Sequence, residues 1–263
     1  MPTTKRVEQK VPRESNLWTD RLAELAQQLG SLRKTSIIPL FMHKAGIDRR
    51  KVSQIYGSLK RAKNQLENLD VILHSPGGDA DAAYHLGKIF QNCCKGTLTF
   101  IVPRYAKSAA TMLACSGNVI IMTQAAELGP VDPQIDSPLG FFSVRSLKAS
   151  LEFWKELLDQ KTFEGLINRI PVLAVGDMQQ SPDTVKEYIE ELLQARMLTN
   201  QPEKAREIAN KLVEGYKAHA RCIPIDLARK IGLNVKEPSP KEEDLIWKMF
   251  EVYEENVILK EED

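Results

Sequence analysis

The chain is poor in the features that would place it in a specialised class. No apolar run approaches the length of a membrane span, so no transmembrane helix is expected. The opening stretch carries Lys5, Arg6, Lys10 and Arg13 with no apolar run behind it, and so does not read as a secretory signal. Neither sign of charge dominates: 36 Lys and Arg against 35 Asp and Glu give a net charge of +1. No field of either sign would gather nucleic acid or an anionic membrane, and neither is expected as a partner. Cysteine is scarce. Cys93, Cys94, Cys115 and Cys222 show no CxxC spacing, and adjacent cysteines make a poor disulfide. They read as reduced thiols of a cytoplasmic protein, with no metal site. Aromatic residues make up only 6%, and none forms a stacking platform among the cations of residues 49–63. That basic stretch reads as a solvated helix face. No internal repeat or low-complexity tract is present.

What remains is an ordinary globular composition, 43% hydrophobic and 27% charged over 263 residues, enough to bury a sizeable core. Residues 1–16 are polar and read as a flexible N-terminal segment. Helical spacing of Leu22, Leu25, Ala26 and Leu29 predicts a helix over 17–30 capped by Gly30. A strand follows at 36–42, then a charged amphipathic helix over 48–69. The middle of the chain alternates. Strands are predicted at 71–75, 97–103 and 118–123, with helices at 79–94 and 108–116 between them. Short β-rich runs separated by helices predict an α/β fold with a largely parallel sheet. Residues 127–140 read as loop, 144–168 and 182–214 as helices with loop between, and 223–235 as a short helix followed by a strand. A last helix in the 237–263 segment bears an apolar stripe of Leu245, Ile246, Met249, Phe250 and Tyr253, for the chain's own core or for an oligomer contact.

Two places carry chemistry. Ser75-Pro76-Gly77-Gly78 lies between a strand and a helix, where a Gly-Gly pair permits positive φ and leaves amides open to negative charge. Lys107-Ser108-Ala109-Ala110 lies at the next such junction, with Ser108 30 residues after Gly78. A Ser there has its hydroxyl at the positive end of a helix and the Ala109 N–H beside it. Taken alone, each is also an ordinary turn or N-cap. Taken together they occupy strand C-termini on consecutive β-α units, where open α/β sheets put their sites.

Across residues 36–236, HSPGGDADAAYHLGKIF, IVPRYAKSAATMLACSGNVIIM and ELGPVDPQI resemble the Clp-peptidase/crotonase superfamily, and within it the serine dehydrogenase proteinase family, related to signal peptide peptidase A. The resemblance implies a ββα-spiral domain over 17–236 with additional helices at 144–214. It also implies a serine peptidase that needs no cofactor, acts on peptide or unfolded protein and assembles as a homo-oligomer. Carried over, Ser108 is the nucleophile; Gly78 and Ala109 supply oxyanion-hole amides and Gly77 shapes the turn. The Clp peptidase's own histidine position is Pro133 here, after Asp132. The signal-peptide-peptidase-like branch uses Lys as base, and its place falls on Lys148, with Leu147, Leu151, Phe153 and Trp154 offering apolar surroundings. Such a base works only if burial lowers its pKa far from about 10.4. His219 is the alternative base or orienting group; Lys155, Lys161 and Lys107 are weaker candidates, the last expected to point away from Ser108. Asp79, Asp81 and Asp136 read as helix-terminus or loop carboxylates, and His74 and His85 as structural. The missing histidine also motivates a non-hydrolytic scaffold or partner-binding subunit, and the shared fold an acyl-CoA enzyme of crotonase type.

Overall fold

The computed structural model describes residues 17–61, 66–132, 134–137, 140–168, 172–216 and 221–262, with side chains except over 134–148, 172–181 and 261–262. The chain opens with helix α1 (Leu17–Arg33), strand β1 (Ser36–Phe41), α2 (Arg49–Arg61), β2 (Leu69–His74) and α3 (Ala80–Cys93). Strands β3 (Leu98–Val102) and β4 (Tyr105–Ala106), α4 (Ala109–Ala114), β5 (Val119–Met122) and β6 (Glu127–Leu128) follow. Then come β7 (Gln134–Ser137), β8 (Gly140–Ser143), α5 (Val144–Leu157), α6 (Gln160–Ile167), α7 (Val172–Ala195) and α8 (Pro202–Glu214). The end consists of α9 (Ile225–Ile231), β9 (Val235–Lys236), α10 (Pro240–Tyr253), a π-helical turn and α11 (Leu259–Glu262).

Five strands form a parallel sheet in the order β1-β2-β3-β5-β9. Its central strands are buried on both faces, which is why β2 and β3 read as unbroken apolar runs rather than alternating ones. Leu69, Val71, Leu73, Phe100 and Met122 point into the larger core with α3, α4, α7 and α8. Ile72, Ile101 and Ile121 point the other way, onto Leu25 and Leu29 of α1 and Ile246 and Met249 of α10. The apolar stripe of the last helix therefore covers the chain's own sheet, with Ile246, Met249, Phe250 and Tyr253 all buried. A second ladder crosses the ends of the main strands: β4 pairs with β6, and single bridges link Ser75 to Ala106 and Leu128 to Ile223. Strand, short cross-strand and helix thus repeat along the chain.

Boundaries differ from the sequence reading in five places. Helix α1 passes through Gly30 to Arg33, and Lys34 takes the left-handed turn with φ 53°. Gly30 serves packing instead, since a Cβ there would meet the Thr35 carbonyl at 2.8 Å. Helix α2 stops at Arg61. The expected loop at 127–140 contains β6 and β7, the latter pairing antiparallel with β8. Its Pro and Gly hide the strand from propensity, and only the partner strand supplies the ladder. Helix α7 begins at Val172, ten residues early, and carries Pro182 inside it. The 144–168 stretch is two helices, split at Asp159, whose carboxylate caps Thr162 N–H.

Candidate active site

Strand β2 delivers Ser75 to Gly78 to the C-terminal edge of the sheet. Both glycines take positive φ, 116° at Gly77 and 138° at Gly78. The turn is pinned from two sides. The Ser75 hydroxyl accepts from Gly77 N–H at 3.1 Å. On the other side Ile47 N–H donates to Gly77 O at 2.7 Å and Asp79 N–H donates to Ile47 O at 2.8 Å. A side chain at Gly78 would strike the Ile47 main chain at 2.3–2.4 Å. One at Gly77 would lie 2.9 Å from Ser108 Cβ and 3.3 Å from Ala109 N. The absence of side chains thus brings the two motifs into contact.

Ser108 stands at the N-cap position of α4, but it is not an ordinary cap. Its backbone is at φ 50°, ψ −123°, a region L-residues avoid, and its hydroxyl makes no capping bond. Strain of this kind costs of the order of 1–3 kcal/mol and persists only where the surroundings impose it. Here they do. Lys107 N–H donates to Ser75 O at 3.0 Å, and Ala110 N–H donates to Lys107 O at 2.9 Å. One turn on, the buried Thr111 hydroxyl accepts from Gly129 N–H at 3.1 Å and lies 2.7 Å from Ala106 O. The geometry is that of a sharp strand-to-helix elbow that lifts a hydroxyl out of the helix. Ala109 is the first residue of α4, and its N–H is among the donors a helix start leaves open.

Lys107 turns away from this point. Its ammonium pairs with Glu127 at 3.1 Å and donates to Leu128 O at 3.3 Å. Burial raises the Glu127 carboxyl, but hydrogen bonds from Cys222 and Lys107, with the charges of Lys107 and Arg104, outweigh it and hold the group below its usual range. Lys148 lies on α5, with its side chain outside the described residues. Phe153 and Trp154, expected to surround it, are instead 59% and 37% exposed. His219 lies outside the described residues. Lys155, Lys161 and His85 are exposed, and Asp79 caps α3 through Ala82 N–H at 2.7 Å. Asp81 accepts from Tyr188, and Asp132 is buried. Asp136 and Pro133 fall outside the described side chains. All four cysteines are free thiols.

Two features escaped the sequence reading: Ile47, whose main chain grips the Gly-Gly turn, and Thr111. Gly46 beside Ile47 was the available signal, since its Cβ would meet Gly77 O at 2.6 Å.

The chain matches the family of ClpP-like SDH-type serine proteinases over residues 38–262. It belongs to that family. The α/β sheet with its cross-ladder is the ClpP-like fold of an SDH-type proteinase. Two uncharacterised proteins of Methanocaldococcus jannaschii are 30% and 29% identical to this SDH-type chain, over 75% and 70% of its length. The chain spans 62% and 56% of those relatives. Among solved structures, a serine variant of the 1510-N membrane-bound stomatin-specific protease is 17% identical with a TM-score of 0.49, over 78% of this chain and 79% of that one. The ClpP catalytic domain of Plasmodium falciparum is 15% identical with a TM-score of 0.44, over 89% and 99%. No described helix of the chain is long and apolar enough to cross a membrane.

Proposed function

We propose that the protein hydrolyses peptide bonds through an acyl-enzyme on Ser108. The strained, uncapped Ser108 at the elbow carries this reading, because a main chain held at φ 50° with its hydroxyl left uncapped beside Gly77 serves no structural bond. In the reaction Ser108 Oγ attacks the scissile carbonyl carbon and its proton passes to a neutral Lys148. The carbonyl oxygen becomes an oxyanion held by the Gly78 and Ala109 N–H groups, with Gly77 shaping the turn. The proton then moves to the leaving amine, the C–N bond breaks, and an ester on Ser108 remains. Water adds to the ester, and Ser108 and a carboxylate are released. His219 is the alternative base. No cofactor is required by these steps. The substrate is an extended peptide or unfolded segment, and the family is one of proteinases rather than acyl-CoA enzymes. Exposed Phe153, Trp154 and Leu157 on α5 fit a homo-oligomer, whose contacts would supply the burial that Lys148 needs.

The test is labelling with a fluorophosphonate probe, read by mass spectrometry on wild type, Ser108→Ala, Lys148→Ala and His219→Ala. Labelling at Ser108 that is lost in Lys148→Ala and kept in His219→Ala is the expected result. The reverse pattern makes His219 the base. A folded wild type that never labels, from neutral to alkaline pH, replaces this reading with the non-hydrolytic scaffold.

A further inference from the structure

Strand β1 is the outer strand of the five-stranded sheet. In a parallel ladder the main-chain groups of alternate residues point to opposite sides. Ser36 N–H donates to Asn68 O and Met42 N–H to His74 O, so the even-numbered residues face β2. Ile37, Pro39 and Phe41 therefore direct their main-chain groups outward, and no described strand lies beyond them. Outward there are two N–H donors, at Ile37 and Phe41, and three carbonyl acceptors; Pro39 has no N–H. A proline in this position interrupts the edge and limits uncontrolled pairing, leaving room for a short added strand.

A groove flanks this edge on each face of the sheet. One, of about 670 Å³, lies between β1 and α1, floored by Leu22, Ala26 and Gly30 and bordered by Lys34. The other, of about 490 Å³, lies between β1 and α2, walled by Ile55 and Leu59 and bordered by Lys51. Ile37 and Pro39 line both. A strand laid along β1 would send alternate side chains into the two grooves, the arrangement by which strand addition gains specificity. The charge is one-sided: among the described residues the linings hold Lys34 and Lys51 and no carboxylate. Helix α2 adds Arg49, which lies 3.9 Å from Asp81, and Arg50, Lys60 and Arg61, with no acidic residue of its own, on a chain whose net charge is only +1.

We propose that the β1 edge is a docking site for a short, extended, acidic segment of a partner protein, which pairs with Ile37 to Phe41 and sets alternate side chains against α1 and α2. A second copy of this chain is the poorer occupant, because it would bring the same lysine-bearing walls together. The site is separate from Ser108 and stands whether or not Ser108 is catalytic.

The experiment uses the full chain carrying Ser108→Ala and a fluorescein-labelled hexapeptide of alternating Glu and Val. Controls are the Lys and Val peptide and the variant Lys51→Glu with Gln54→Glu, both changes on half-buried or exposed helix positions. Saturable binding of the acidic peptide is expected, weaker by about ten-fold or more for the basic peptide and for the variant. Hydrogen exchange over residues 36–41 is expected to slow when the acidic peptide binds. In otherwise wild-type protein, prior labelling of Ser108 with fluorophosphonate is expected to leave the affinity unchanged. Absence of binding, equal binding of the basic peptide, or unchanged exchange over 36–41 overturns the proposal. So does displacement by Ser108 labelling, which would place the peptide in the cleft, or a free protein that dimerises through this edge.

Discussion

Ser108 keeps a backbone conformation that glycine adopts more readily, at φ 50° and ψ −123°. Replacing Ser108 with Gly should therefore stabilise the fold while removing the hydroxyl. The expected gain is about 1 kcal/mol, a rise of a few degrees in Tm by calorimetry, together with loss of fluorophosphonate labelling. An unchanged or lower Tm would mean that the elbow is not strained in solution. His74 is the other telling residue. It is fully buried, 3.9 Å from the Tyr105 ring and 4.9 Å from that of Phe250, and neither ring nitrogen has a hydrogen-bond partner. Burial, with lesser contributions from the charges of His43 and Arg104, lowers its pKa from 6.5 to about 3. The unfolded chain thus binds a proton below pH 6.5 that the folded chain refuses. Stability from this residue is complete above that pH and is lost as pH falls toward about 3, by at most about 1.4 kcal/mol per pH unit. Urea unfolding at pH 7 and pH 5 should show a smaller loss for His74→Leu than for wild type. Equal losses in the two proteins would show that His74 is not the source.

At the scale of elements, the candidate site is a contact between two turns. The Gly77-Gly78 turn hangs between Ile47 and Ser108, and α4 is fixed by Thr111 to the Gly129 loop. A methyl at Gly77 must push on the Lys107 carbonyl and Ser108 Cβ, each at 2.9 Å. Gly77→Ala should lower the labelling rate by about 100-fold or more, since small displacements of reacting groups have such effects, while circular dichroism shows a folded chain. A labelling rate near wild type would separate this turn from the chemistry. Both turns were legible from the sequence because strand, glycine pair and small-residue helix are local patterns. The hairpin of β7 and β8 was not, because neither strand persists without its partner.

At the scale of the whole molecule, one cation ties α1 and α10 to the sheet. Arg33, at the end of α1, pairs with buried Asp70 on β2 at 2.5 Å and with Glu242 on α10. Burial raises the Asp70 carboxyl, and the Arg33 guanidinium opposes that shift. Arg33→Met leaves that carboxyl buried without its cation and should cost about 3 kcal/mol in urea unfolding. Adding Asp70→Asn, which removes the buried charge, should restore most of the loss; no recovery would show that the guanidinium stabilises through Glu242 alone.

The sequence by itself determined the parallel α/β sheet, the positions of Ser75 to Gly78 and Ser108 at strand ends, and the apolar face of α10. These follow from period, spacing and residue type within a dozen neighbours. Only the tertiary structure decided the rest. It strained Ser108 against Gly77, turned Lys107 to Glu127 and left β1 at the sheet edge. It also laid α10 beside α1 and left Phe153 and Trp154 exposed. Each of these depends on which distant segments meet, and packing, not local propensity, makes that choice.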